Sequence, residues 1–240
     1  MYDHEVAEVY DEVYRGRGRD FASEAEEVHR LVTERCPQAS SLLDVACGTG
    51  AHLRSFADIF KHVEGVELSA GMLGVARSGL PGVPVHQGDM RDFSLDRRFS
   101  VVTCMFSSIG HTRTTAELRA ALSRFARHLE PGGVIVVEPW WFPDTFLDGY
   151  VTGDVINGNR RTVARLSHSR REGKGSSRVT VHFAVTDPEA GLHHVTEEYP
   201  VSLFEQADYE EAFRAAGCPA DYITGGPHGR GWFVACAPTA

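Results

Sequence analysis

The sequence predicts a doubly wound α/β fold with a mainly parallel sheet and an inserted antiparallel β meander. Three observations carry that expectation. Short apolar runs alternate with helical segments from Ser41 to Val137, and the first run closes on an acid followed by paired glycines. After Glu138 the alternation gives way to longer β-rich runs joined by polar turns.

Taken in order, residues 1–36 read as an N-terminal cap, with a helix from about Ala22 to Arg35 that sets apolar Val28, Leu31 and Val32 among acids. Residues 37–140 read as a ligand-binding core. Its first strand, Ser41 to Val45, delivers the turn Ala46-Cys47-Gly48-Thr49-Gly50. Gly48 and Gly50 lack a Cβ, so the backbone there adopts positive φ and lies against a ligand. The following helix, Ala51 to Phe60, offers its N-terminus to an anion. The next strand, Val63 to Leu68, puts Glu67 at a carboxyl end, where an acid accepts the hydroxyls of a ribose. One unit later, after strand Val83 to Gln87, Gly88-Asp89-Met90 sets Asp89 to take an adenine amino group beside the Met90 backbone. This series resembles the S-adenosylmethionine (SAM) site of class I methyltransferases, a Rossmann-like fold.

The fourth strand, Ser100 to Phe106, leads into Ser107-Ser108-Ile109-Gly110-His111 at the crevice end of the sheet. Met105 is read as a pocket wall. His111 has two roles open to it: taking a proton from an amine or hydroxyl, or orienting the substrate by hydrogen bonding. A helix from Thr115 to Leu129 is expected to stop at Glu130-Pro131-Gly132-Gly133 before strand Val134 to Val137. Then Glu138-Pro139-Trp140-Trp141-Phe142-Pro143 brings adjacent aromatic rings to the crevice. They either stack on a planar acceptor or close over it, or else pack beneath the meander.

Residues 141–205 form the lid and β insertion, with runs Thr162 to Ser169, Arg178 to Thr186 and His193 to Phe204. Residues 206–240 supply a helix, Ala207 to Ala216, and a terminal strand at Tyr222 to Ile223, resumed at Trp232 to Cys236 as an antiparallel edge. Between the two pieces, Gly225 to Gly231 surrounds Arg230 with glycines. That loop is either a diphosphate fork or a plain turn with a solvated arginine. At the other end of the chain, Tyr10 or Arg17 meets the methionyl carboxylate and Tyr2 borders the acceptor, or each packs the leading helix. Tyr14 is read as packing.

The 240 residues suit one domain with an insertion, and the formal net charge of −9 disfavours a nucleic-acid partner. Arg15-Gly16-Arg17-Gly18-Arg19 is the one short basic candidate. No apolar run is long enough for a membrane span, and the 5 cysteines form neither a disulfide framework nor a metal pattern. The expected location is the cytoplasm, with no metal.

The blocks SSLLDVACGTG, GDMRDF, CMFSSIGH, EPWWFPDTF, RLSHSRREG and GGPHGRGWF together resemble the N,N-dimethyltransferases that finish desosamine, mycaminose and related aminosugars of macrolide antibiotics. The resemblance implies a dTDP-linked 3-amino sugar, methylated twice by a SAM-dependent homodimer. It places SAM against Tyr10, Glu67, Asp89, Met90 and Met105; the residue pattern itself adds the turn residues Ala46, Gly48 and Gly50 and the basic Arg17 as candidates for the same ligand. By the resemblance Tyr2 and His111 would flank the amine, as the catalytic pair. Ser108 and Arg230 would contact the nucleotide sugar, with Trp140 and Trp141 as further substrate-side candidates from their place at the crevice. Phe21, His228 and Trp232 depart from the family pattern, where a tyrosine, a serine and a smaller apolar residue are usual.

Other readings are a methyltransferase of another small molecule, including a dTDP-4-amino sugar, or of protein or nucleic acid. A NAD-linked oxidoreductase would share the ribose-binding acid, but the third glycine of its fingerprint is missing. A binding module on this fold is the non-enzymatic alternative. Methyl transfer itself depends more on positioning, worth up to roughly 7–11 kcal/mol, than on a general base, worth on the order of 10²–10⁴-fold.

Overall fold

The computed structural model describes residues 4–158, 160–226 and 228–239. Its main sheet has seven strands: β1 (Ser41–Val45), β2 (His62–Glu67), β3 (Val85–Gln87), β4 (Phe99–Cys104), β5 (Leu129–Val137), β10 (Ala220–Ile223) and β11 (Trp232–Cys236). They lie in the order β10-β11-β5-β4-β1-β2-β3. Strand β1 is buried at every residue and pairs in parallel with β2 on one side and β4 on the other. The strand order reverses there, so a crevice opens beyond the carboxyl ends of β1 and β4.

Apolar side chains alternate across this sheet, Leu43 and Val45 packing on one face and Leu42 on the other. Helices α2 (Phe21–Thr33), α3 (Ala51–Ile59) and α4 (Ala70–Gly79) cover the face bearing Leu42, and α5 (Thr115–Arg127) and α6 (Gln206–Ala215) cover the other. Local chemistry sets the helix starts. Asp20, Ser69 and Thr114 each accept a backbone N–H as the N-cap residue.

The insertion is a second sheet of four antiparallel strands: β6 (Tyr150–Asn157), β7 (Thr162–Arg171), β8 (Ser176–Asp187) and β9 (Gly191–Ser202). The sequence pointed to the last three, and β6 is an addition. Gly153 sits opposite Leu166, whose Cδ2 would lie 2.6 Å from a Cβ at that position. A larger residue there would have to displace the exposed Leu166 side chain, and the glycine weakens the local strand signal.

Residues before Asp20 form a further helix, α1 (His4–Gly16), which lays Val6, Val9 and Val13 onto the inner side of the second sheet with Ile156 and Val163. Two boundaries differ from expectation. The Glu130–Gly133 stretch lies within β5, Leu129 pairing with Phe99 before the register shifts, because Gly132 takes φ +74° and lets the strand continue past the irregularity. The C-terminal strand β11 lies inside the sheet, antiparallel to β5, and β10 forms the edge.

Candidate active site

The reversal point opens into a cavity of about 740 Å³, walled by the turns after β1 and β4, the Trp140-Trp141 segment, α1 and the inner face of the second sheet. On one side stands the turn after β1. Ala46, Gly48 and Gly50 all have positive φ there, at 59°, 59° and 79°. A Cβ on Gly48 would meet nothing within 4 Å, whereas one on Gly50 would strike Leu80 Cδ1 at 2.6 Å. Gly48 thus leaves room for a ligand, and Gly50 instead serves the packing of α3. Gly50 is not among the lining residues.

Glu67, at the end of β2, accepts the Gly48 N–H at 2.8 Å and the Ser69 N–H at 2.7 Å. Burial raises its carboxyl above the ordinary range, and these N–H donors oppose the shift. Asp44 also lines the cavity. One of its oxygens accepts the Thr103 hydroxyl at 2.8 Å, and the other is buried without a partner among the described residues. Burial pushes its carboxyl up to about 6.

Met90 and Met105 line the cavity, but Asp89 does not. Both oxygens of Asp89 are taken by the Arg91 guanidinium, at 2.9 Å and 2.5 Å, which holds its carboxyl below the usual range. An adenine amino group would share these oxygens with Arg91, since a carboxylate accepts more than two hydrogen bonds.

Helix α1 closes the donor side. Asp11 accepts the Thr49 hydroxyl, and Tyr10, Tyr14 and Arg17 enter the wall. Tyr14 does more than pack the helix: it lines the cavity, with its ring 4.6 Å from Tyr10 and 4.8 Å from Phe106. Tyr2 lies outside the described residues.

Opposite, the turn after β4 holds Phe106 and Ser107 at φ 57° and 59°. Two bonds stabilise these sparsely populated conformations. The Phe106 N–H donates to Glu138 at 2.7 Å, and the Ser107 hydroxyl donates to the Pro139 carbonyl at 2.7 Å. The turn leads to a single 3₁₀ turn, Ser108–His111, whose end residues both line the cavity. His111 packs beside Tyr199, ring centroids 5.4 Å apart. It lines the cavity and is exposed, and desolvation together with nearby positive charge pushes its pKa down to about 4. At neutral pH the imidazole is uncharged and can accept a hydrogen bond.

Of the three adjacent aromatics, Trp140 and Trp141 face the cavity, while Phe142 turns into the core against Tyr222 and Phe233. The Arg230 guanidinium lies 5.8 Å and 5.6 Å from the two tryptophan rings and is ion-paired with Glu138. Arg230 is not a solvated turn residue. Its Nε is buried without a partner among the described residues.

Sequence reasoning missed the buried network behind Arg230. Arg19 joins Glu138 at 3.2 Å to Glu24 at 2.5 Å, and Glu24 also receives His52 at 2.8 Å and His228 at 3.1 Å. These partners hold Glu24 well below the usual carboxylate range against a large desolvation penalty. In the Arg15–Arg19 tract, Arg19 is buried and Arg17 pairs with Asp154 at 2.9 Å. One signal was available: Glu24 lies four and seven residues before Val28 and Leu31, on the apolar face of α2.

Among the described residues no helix is long and apolar enough to cross a membrane. Residues 42–133 match a family model described as a methyltransferase domain. The chain is 56% identical over 98% of both chains to dTDP-3-amino-3,4,6-trideoxy-alpha-D-glucopyranose N,N-dimethyltransferase of Streptomyces venezuelae. It is 48% identical to dTDP-4-amino-2,3,4,6-tetradeoxy-D-glucose N,N-dimethyltransferase of Saccharopolyspora spinosa, over 98% of this chain and 93% of that one. Among solved structures it is similar to SAM-bound CalS10, an amino pentose methyltransferase from Micromonospora echinaspora involved in calicheamicin biosynthesis. That match has TM-score 0.86 and 47% identity and covers 95% of this chain and 96% of the other.

Proposed function

Because the chain belongs to the SAM-dependent N,N-dimethyltransferases of dTDP-linked amino sugars, we propose that it methylates the amino group of a dTDP-linked 3-amino dideoxy or trideoxy hexose twice. The observation that carries this is one continuous cavity lined by both an acid at a strand's carboxyl end, Glu67, and an aromatic-flanked arginine, Arg230. SAM, when bound, supplies an electrophilic methyl group. The residues suited to hold it are Glu67, Met90, Met105, Ala46 and the backbone at Gly48, with Tyr10 and Arg17 toward its carboxylate. Gly48 fits such a ligand because its missing Cβ faces open space.

On the acceptor side, Arg230 takes the diphosphate, Trp140 and Trp141 bound the nucleotide and Ser108 donates its hydroxyl. His111 then faces the amine. Only a neutral amine has the lone pair for attack, and an uncharged imidazole orients it by accepting an N–H. A group with its pKa near 4 is a weak base, so His111 acts chiefly by alignment. His111→Asn should therefore keep kcat within about tenfold of wild type, and the wild-type rate profile should show no histidine ionisation between pH 6 and 7. A loss on the order of 10²–10⁴-fold, together with removal of such an ionisation, would make His111 an obligatory base.

The function is tested by incubating the protein with SAM and a panel of dTDP-3-amino and dTDP-4-amino sugars and weighing the products. Addition of two methyl groups to a 3-amino sugar is expected. Preference for the 4-amino panel would move the substrate to the class of the Saccharopolyspora relative, and no methylation of any nucleotide sugar would overturn the reading. We also propose a cytoplasmic homodimer. The outer face of the second sheet leaves Val151, Val155 and Leu166 61–70% exposed, an apolar patch of the kind that protein interfaces cover. Light scattering should report twice the 26.4 kDa chain mass.

A further inference from the structure

We propose that Arg165 is a ligand-contacting residue whose guanidinium supplies positive charge to an anionic oxygen of a bound reactant, the methionyl carboxylate of SAM or a phosphate of the nucleotide sugar. The proposal rests on the functional reading above, which brings both anions into the cavity. Arg165 opens the RLSHSRREG segment on β7, is 5% exposed and lines the cavity. Its Nη1 donates to the Ser167 hydroxyl at 2.9 Å, and its Nε is buried without a partner among the described residues.

The other arginines in the cavity wall have carboxylates. Arg17 has Asp154, Arg19 has Glu24 and Glu138, and Arg230 has Glu138. Among the described residues no carboxylate lies within 4.0 Å of Arg165. Asp154 stands directly across from it in the β6–β7 register but pairs with Arg17. The ring of Tyr14, 5.9 Å from the guanidinium carbon, offers only a weak cation–π contact.

Burying a charge without a counter-ion is costly, so a chain that keeps one facing a ligand cavity points to an anion supplied from outside. Charge balance agrees. Arg19 and Arg230 are already matched by Glu24 and Glu138, so an incoming diphosphate meets no surplus positive charge in that network. Arg165 supplies the surplus. Ser167 and Ser169, two residues apart on the same strand face, add hydroxyl donors beside it in the cavity wall.

The test is calorimetric titration of wild type, Arg165→Gln and Arg165→Lys with S-adenosylhomocysteine and, separately, with dTDP, alongside the unfolding midpoint of each ligand-free protein. Arg165→Gln should weaken at least one ligand about 10- to 100-fold, the effect of a lost charge-assisted hydrogen bond, and lysine should restore part of it. The titration that moves identifies the anion. Its ligand-free midpoint should equal or exceed that of wild type, because an uncompensated charge has been removed. Affinities within twofold of wild type for both ligands would overturn the proposal. So would a lowered midpoint with both affinities falling in parallel, which marks a structural residue. Failure of the wild type to bind either probe would overturn the functional reading itself, and this proposal with it.

Discussion

Arg230→Ala is expected to raise the acceptor KM by about 30- to 1,000-fold while leaving the affinity for SAM near the wild-type value. The range corresponds to roughly 2–4 kcal/mol, the loss of one or two charge-assisted hydrogen bonds to a phosphate. The geometry favours so large an effect. Glu138 fixes one Nη of the fork, the two tryptophan rings flank it and Nε has no partner among the described residues, so the guanidinium is held in place before any ligand arrives. The variant should still fold, because Glu138 keeps Arg19 at 3.2 Å and the Phe106 N–H at 2.7 Å. Arg230→Lys should recover the function only in part, since an ammonium is a point charge without the planar fork. Steady-state kinetics at saturating SAM decide the matter. Equal acceptor KM for wild type and Arg230→Ala would leave Arg230 as no more than a partner for Glu138.

The two halves of the site were not equally legible in the sequence. The donor half is written locally: a strand, a glycine turn and an acid one βα unit later, each constrained by backbone geometry that only certain residues permit. Even there, a glycine that makes room for a ligand looks the same as one that makes room for a neighbouring leucine, which is why Gly48 and Gly50 were assigned alike. Asp89 is a related case: spacing alone does not reveal that Arg91, two residues on, bonds both of its oxygens.

The acceptor half is assembled from distant segments. Arg19 meets Glu138 across 119 residues, and Glu24 meets His228 across 204. Neither pairing leaves a local trace, and an arginine-glycine run reads as solvated until the fold buries it. The same reasoning covers β6, whose Gly153 and Asp154 are poor strand formers and whose conformation comes from pairing with β7. Helix α1 was different. Its Val6, Val9 and Val13 do follow a helical period, a signal that the tyrosines and arginines between them obscure.

Glu67→Ala is expected to weaken SAM about 10- to 100-fold, since two ribose hydroxyls would be left unpaired in a partly closed site at a cost of roughly 1–3 kcal/mol. The substitution acts in a second way. The N–H groups of Gly48 and Ser69 now end on this carboxylate, so its removal also releases the turn that shapes the donor side. Glu67→Gln separates the two contributions. An amide oxygen can still accept one N–H, but its NH₂ would face the other donor, so an intermediate affinity is expected.

Proton linkage gives an independent check. Burial raises the Glu67 carboxyl, so acidification protonates it at a higher pH than an ordinary glutamate. A protonated carboxyl accepts fewer hydroxyls. Wild-type affinity for SAM should therefore decline as pH falls toward that raised value, and the Glu67→Ala variant should lose this dependence. Affinity for dTDP should stay level in both proteins, because Arg230 is held by Glu138 and the two tryptophans and shares no hydrogen-bond partner with Glu67. Calorimetry that finds SAM binding unchanged by Glu67→Ala, or an equal pH dependence in variant and wild type, would remove Glu67 from the donor site.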